Sequence, residues 1–118
     1  MSYQAYKTAS SRTEDPRQTE YRLLGEVTRG LMEVRDAPKS EIRQRVAALD
    51  RNRRVWSAFA ADCASSHNNL PDSLRAGIIS LSIFVSKETS AAMRGETDVE
   101  TLIDINRTIM QGLSPSGG

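Results

Sequence analysis

The sequence predicts an all-α fold: a single-domain bundle of about four helices with an N-terminal arm and a short C-terminal tail. Three observations carry that prediction. Apolar residues recur at three- and four-residue spacing in four separate stretches, as expected of helices that bury one stripe. Capping or proline signals precede these stretches, and proline or glycine follows them. No stretch alternates apolar and polar residues as a half-buried strand would, and there is no internal repeat and no Gly-rich phosphate loop.

Residues 1–14 are polar and lack apolar periodicity apart from Tyr3 and Tyr6, so they read as a flexible arm on which two tyrosines could grip a partner. The helical domain spans 15–113. Its first helix is announced by Asp15-Pro16-Arg17-Gln18, where Asp15 can cap, Pro16 suits the first helical position and Gln18 completes a capping box. Leu24, Val27, Leu31 and Val34 then share a stripe, and the helix should end near Asp36-Ala37-Pro38. Ser40 can cap a second helix running to about Ser66, with Ile42, Val46, Leu49, Trp56, Phe59, Ala60 and Cys63 on one face at about 100° per residue. His67-Asn68-Asn69 breaks the pattern. A third helix follows Leu70-Pro71, with Asp72 at the positive end of its dipole. Leu74, Ile78, Leu81 and Val85 form its stripe, but Ile79 and Ile83 lie on the other side. Apolar residues on both flanks predict that this helix is the central one. Gly95 should stop it, and Thr97-Asp98-Val99-Glu100 reads as a capping box opening a fourth helix that runs to Gly112, with Val99, Leu102, Ile103, Ile109 and Met110 facing one way. Residues 114–118, Ser-Pro-Ser-Gly-Gly, form a solvated tail.

At 118 residues the chain suits one domain with a modest core, too small for a core and a roomy substrate cleft together. Sixteen Lys and Arg against 15 Asp and Glu give no global field to hold nucleic acid or an anionic membrane. The single cysteine, Cys63, excludes an internal disulfide framework. The N-terminus has no apolar run of the signal-peptide kind, so the expected compartment is the cytoplasm. The longest apolar segment, Ala76 to Val85, is interrupted by Gly77, Ser80 and Ser82 and falls well short of the roughly 20 residues that span a bilayer. No membrane insertion is expected.

Enzyme chemistry has little to work with. His67 and Cys63 stand four residues apart at the end of the second helix. A zinc site needs three or four ligands, and the only nearby addition, Asp62, points about 100° away from Cys63. A Cys-His nucleophile pair lacks an orienting acid and an oxyanion site. The expectation is therefore no enzyme, no metal and no cofactor, with Cys63 a small buried thiol beside an exposed histidine.

Asn52-Arg53-Arg54-Val55-Trp56 plants an amide and two guanidinium groups around the only tryptophan. Arg43, Arg51 and Arg54 fall in one sector opposite the apolar stripe and read as a solvated basic face. Such a face could make a few phosphate contacts, weak and steeply salt-dependent, without the aromatic platform single strands stack on. Direct RNA binding is not favoured. Arg53 projects among Val46, Leu49 and Ala60, Asn52 borders Phe59, and Asn106 lies between Leu102, Ile103, Ile109 and Met110. One reading pairs Arg53 with a buried carboxylate or lets it snorkel out, bonds Asn52 to a neighbouring carbonyl, and has Asn106 set register in an apolar seam. The functional reading has Asn52, Arg53, Trp56 and Asn106 line a groove filled by a partner helix, with Trp56 as anchor. Phe84, Met93 and Met110 could extend that groove or be ordinary core.

Taken in order, the tyrosines of Tyr3 to Tyr6, Pro16-Arg17, Asn52-Arg53-Arg54-Val55-Trp56, Asn69-Leu70-Pro71, Leu74-Arg75-Ala76-Gly77-Ile78-Ile79-Ser80-Leu81, and Leu102-Ile103-Asp104-Ile105-Asn106-Arg107-Thr108-Ile109-Met110-Gln111-Gly112-Leu113 resemble the flagellar biosynthesis regulator FlaF family. The arm departs from the family start, Tyr-Gln-x-Ala-Tyr, by lacking the spacer residue. The resemblance implies a small cytoplasmic protein needed for flagellin synthesis and export, acting with flagellin and opposed by a partner regulator, FlbT, that acts on flagellin messenger RNA. It leads to the expectation of a flagellin-binding secretion chaperone or adaptor that covers amphipathic flagellin helices before export. The alternative is a post-transcriptional regulator of flagellin mRNA working through RNA or an RNA-binding partner.

Overall fold

The structure is a computed structural model and describes residues 16–113. The predicted contacts of Tyr3 and Tyr6, the cap at Asp15 and the tail at 114–118 lie outside the described residues. Four helices follow in order: α1 (Pro16–Arg35), α2 (Ile42–Ala64), α3 (Asp72–Met93) and α4 (Glu100–Leu113). Among the described residues there is no strand, as the periodicity predicts.

The helix ends show local chemistry at work. α2 has Glu41 rather than Ser40 at its N-cap, and no side chain caps it. The backbone instead enters through a tight turn in which Glu41 N–H donates to the Pro38 carbonyl at 3.0 Å and Ile42 N–H to that of Ser40 at 2.9 Å. α3 ends in a Schellman motif: Glu96 N–H donates to the Ala91 carbonyl at 2.9 Å and Gly95 N–H to that of Ala92 at 3.0 Å, with Gly95 at φ 75°. That left-handed conformation is why glycine stands there. At the start of α4 the capping side chain is Asp98, not Thr97: the Asp98 carboxylate accepts the Glu100 N–H at 3.0 Å, because the helix begins at Glu100, two residues later than a Thr97 cap would start it.

α2 and α3 form an antiparallel hairpin and pack most extensively, α1 packs on α2 and on α4, and α3 and α4 touch lightly. α2 is therefore the central helix and α3 a peripheral one, which corrects the expectation from α3's two apolar flanks. Its core face, Ile78, Val85, Thr89 and Ala92, is buried, but Ile83 is 60% exposed and Ile79 36%. No helix covers that flank. The N-terminal part of the α2 stripe is open too, with Ile42 at 64% and Val46 at 37% exposure. These residues have the predicted angle on their own helix, but α3 meets them only at its last turn, where Met93 shares a shallow cleft with them and leaves them open. The core itself gathers Leu24 and Leu31 of α1, Leu49, Trp56 and Phe59 of α2, Ile78 and Val85 of α3, and Leu102, Ile103 and Leu113 of α4. The Trp56 and Phe59 rings sit 6.1 Å apart at 53°, a tilted contact favoured by their quadrupoles.

Candidate functional site

Asn106, at the centre of the α4 stripe, is fully buried and joins three helices. Its Oδ1 accepts the indole N–H of Trp56 at 2.8 Å. Its amide donates to Asn52 Oδ1 at 2.7 Å and to Thr28 Oγ1 at 3.0 Å. Thr28 in turn donates to the Leu24 carbonyl one turn back in α1, at 2.6 Å. The network thus satisfies every polar hydrogen of Asn106. It leaves one orphan, the Asn52 amide nitrogen, which is buried without a hydrogen-bond partner.

This arrangement corrects the picture of an open groove lined by these side chains. Asn52, Trp56 and Asn106 are 0%, 1% and 0% exposed, so in this conformation they face one another across the bundle interior. The physical reason is mutual satisfaction: a buried indole N–H and a buried amide each need a partner, and they supply it to each other. Thr28 is the member that the sequence reading missed. Its signal was its place between Leu24 and Leu31 on the α1 stripe.

Arg53 is half-buried and pairs with Asp50 at 3.1 Å, the carboxylate pairing foreseen for it, though at the bundle's edge. The same Asp50 pairs with Arg54 at 2.9 Å. Arg51 leans toward α1, its guanidinium 4.0 Å from where a Cβ on Gly30 would sit, and Arg43 lines a shallow cleft with Ile42, Val46 and Met93. The three arginines of the expected basic face are all exposed; Arg43 and Arg54 both lie by Asp50, and Arg51 stands apart from them. Phe84 is exposed at 45% on α3. Met110 is half-buried and lines a separate groove between α1 and α4 with Tyr21, Gly25 and Met32. A Cβ on Gly25 would come within 3.5 Å of the Met110 methyl, ordinary contact, so the absent side chain there mainly deepens that groove.

The far end of the hairpin carries the strongest local electrostatics. Arg75 of α3 donates from Nε to the Cys63 carbonyl at 2.8 Å and from Nη2 to the Ser65 carbonyl at 3.0 Å, capping the C-terminus of α2. Asn68 shapes the turn by accepting the Leu70 N–H at 2.9 Å. Beside it, the Glu20 carboxyl of α1 is pushed up to about 7, first by burial and then by the neighbouring Asp62 carboxylate, with which it shares a hydrogen bond. Cys63 is fully buried; burial, then Asp62 and Glu20, push its thiol up to about 11 against the opposing pull of Arg75. A thiol so held is protonated at neutral pH and a poor nucleophile. His67 is exposed, and among the described residues no group of His, Cys, Asp and Glu could hold a metal ion. No described helix is long and apolar enough to cross a membrane.

The described residues thus present a sealed polar core, a capped hairpin turn, and apolar residues left uncovered at Ile42 and Val46 of α2 and at Ile79 and Ile83 of α3. The sequence reading had these four as interior; the surviving signal was the second apolar flank of α3. A family model described as flagellar protein FlaF matches residues 2–113. Neither a curated protein nor a solved structure matches the chain.

Proposed function

The chain belongs to the FlaF family of flagellar proteins, and on that premise we propose that it is a flagellin-binding secretion chaperone or adaptor, and a positive regulator of flagellin synthesis, with no catalytic role and a cytoplasmic place of work. The observation that carries this reading is the open apolar flank, above all Ile42 at 64% and Ile83 at 60% exposure, on a small helical protein of a flagellar family. Flagellin is exported unfolded or partly folded, and its amphipathic terminal helices would aggregate or polymerise early if left bare. A helix laid on an apolar flank is a known mode of capture. Burial would supply about 25 cal/mol per Å² of apolar surface, reduced by the cost of ordering the flagellin segment.

The rival reading is a post-transcriptional regulator acting on flagellin mRNA through RNA or through FlbT. Less supports it, because Arg54 is tied to Asp50 and a few exposed arginines would make only weak, steeply salt-dependent phosphate contacts. The deciding experiment is co-elution of the purified full chain with monomeric flagellin on a sizing column at physiological and then high salt. A complex that survives both is expected, since an apolar interface is little screened. Loss of the complex at high salt, or none at all beside a folded protein, would shift the weight to RNA or FlbT.

A further inference from the structure

We propose that the outer face of the α2–α3 hairpin is the docking site for one amphipathic helix with an apolar stripe and acidic residues toward one end, and that in the family's setting this helix belongs to flagellin. The inference rests on the flagellin-binding reading and adds to it the surface and the chemistry of what is held.

Two contacts set the geometry of that face. Arg75 near the start of α3 holds the end of α2 through the Cys63 and Ser65 carbonyls, while Met93 at the end of α3 shares a cleft with Ile42 and Val46 at the start of α2. The helices are therefore antiparallel, and positions along one can be set against positions along the other. On α3, Ile79, Ile83, Ser86, Ser90 and Met93 are spaced four, three, four and three residues apart. That spacing keeps them on one flank over four turns, about 21 Å. Ile79, Ile83 and Ser86 are exposed, and Ser90 and Met93 half-buried. Large residues at both ends with serines between make a shallow trough in which another helix can approach closely, because serine is a small side chain.

Charge selects the occupant. Around the Ile42 end stand Lys39, Arg43 and Arg45, lining the two clefts that meet at Ile42, Val46 and Met93. None of the three has a carboxylate within ion-pair distance among the described residues. The acids in the same clefts are already engaged: Asp50 with Arg53 and Arg54, Glu96 with Arg94, and Asp98 with the Glu100 N–H. An apolar strip with three cations outside any ion pair at one end is complementary to a helix whose apolar stripe carries carboxylates at the matching end.

The test uses the full chain and purified monomeric flagellin, with binding followed by calorimetry. Ile83→Asp and Val46→Asp each place a charge on an exposed part of the strip, so helicity and melting should stay as in the parent protein. Each should weaken flagellin binding about tenfold or more. The pair Arg43→Glu and Arg45→Glu should weaken binding at low salt and reverse its salt dependence. Phe84→Asp, exposed on α3 but 100° round from Ile83, should change affinity less than about twofold. Flagellin bound equally well by the parent and by both strip variants would overturn the docking site while leaving the flagellin reading intact. No binding by the folded parent would overturn that reading and this one together. A parent that sediments as a dimer, and a monomer after Ile83→Asp, would show that the strip is covered by a second copy and overturn the proposal on its own.

Discussion

Trp56 of α2 donates its indole N–H to Asn106 Oδ1 of α4 at 2.8 Å, joining two helices whose backbones hardly approach each other. α1 lies against both, and its Thr28 completes the link. The position of α4 in the bundle is thereby tied to a few directional bonds as well as to apolar packing. Buried networks of this kind, here satisfied at every polar group of Trp56 and Asn106 though not at the Asn52 amide nitrogen, specify one arrangement of a core over others that would bury as much surface.

Replacing Asn106 by Leu keeps the branched shape but removes the acceptor for Trp56 and the donors to Asn52 and Thr28. The buried indole N–H and the Asn52 carbonyl oxygen would then lack partners. The expected loss is about 2–4 kcal/mol, measured as a lower urea midpoint at unchanged slope. A loss under 0.5 kcal/mol would show that the network contributes little.

Glu20 makes stability depend on pH near neutrality. Its folded-state value of about 7 lies above the ordinary 4.5, so between these limits the folded chain holds more protons than the unfolded one. Its contribution to stability is fully present below about pH 4.5 and is lost as pH rises to about 7. Glu20→Gln, which keeps an amide to face Asp62, should remove that fall. The variant should gain on the parent by about 1 kcal/mol at pH 7.5, allowing for solvent screening of a partly exposed group. Thermal melts at pH 5 and pH 7.5 decide it, and a gap of equal size at both would argue against the Glu20–Asp62 coupling.

At Gly95 the backbone alone sets the cost of substitution. Nothing lies within 4 Å of where a Cβ would stand, yet φ is 75°. Gly95→Ala should cost about 1 kcal/mol and Gly95→Asn less, since asparagine tolerates the left-handed region. Equal melting temperatures for alanine and glycine here would mean that the α3 stop can reform another way.

Arg75 is the fastening of the hairpin turn. Arg75→Lys keeps the charge but loses the fork that reaches two carbonyls, so it should destabilise by about 1–2 kcal/mol, with Arg75→Ala somewhat worse. Hydrogen exchange is expected to quicken first at the end of α2 and the start of α3. Faster exchange spread evenly over all four helices would contradict a local cap.

Much of this protein is legible in its residue order. The four helices, the glycine stop at Gly95, the proline-led start of α1, the acidic first turn of α3 and the pairing of Arg53 with a carboxylate all follow from chemistry within a turn or two of chain. The ordered blocks from Pro16-Arg17 to the Leu102–Leu113 stretch likewise carry the family. Periodicity also marked the buried stripes correctly wherever a neighbouring helix reaches them, as at Leu24, Leu31, Leu102 and Ile103. What tertiary structure alone decided is which flank of each helix is covered. The helical wheel gives a residue's angle on its own axis but says nothing of where the other axes lie. Ile42, Val46, Ile79 and Ile83 therefore read as core and stand in the open, while Asn52, Trp56 and Asn106 read as a groove and close on one another, their hydrogen bonds reaching partners up to 78 residues away in the chain.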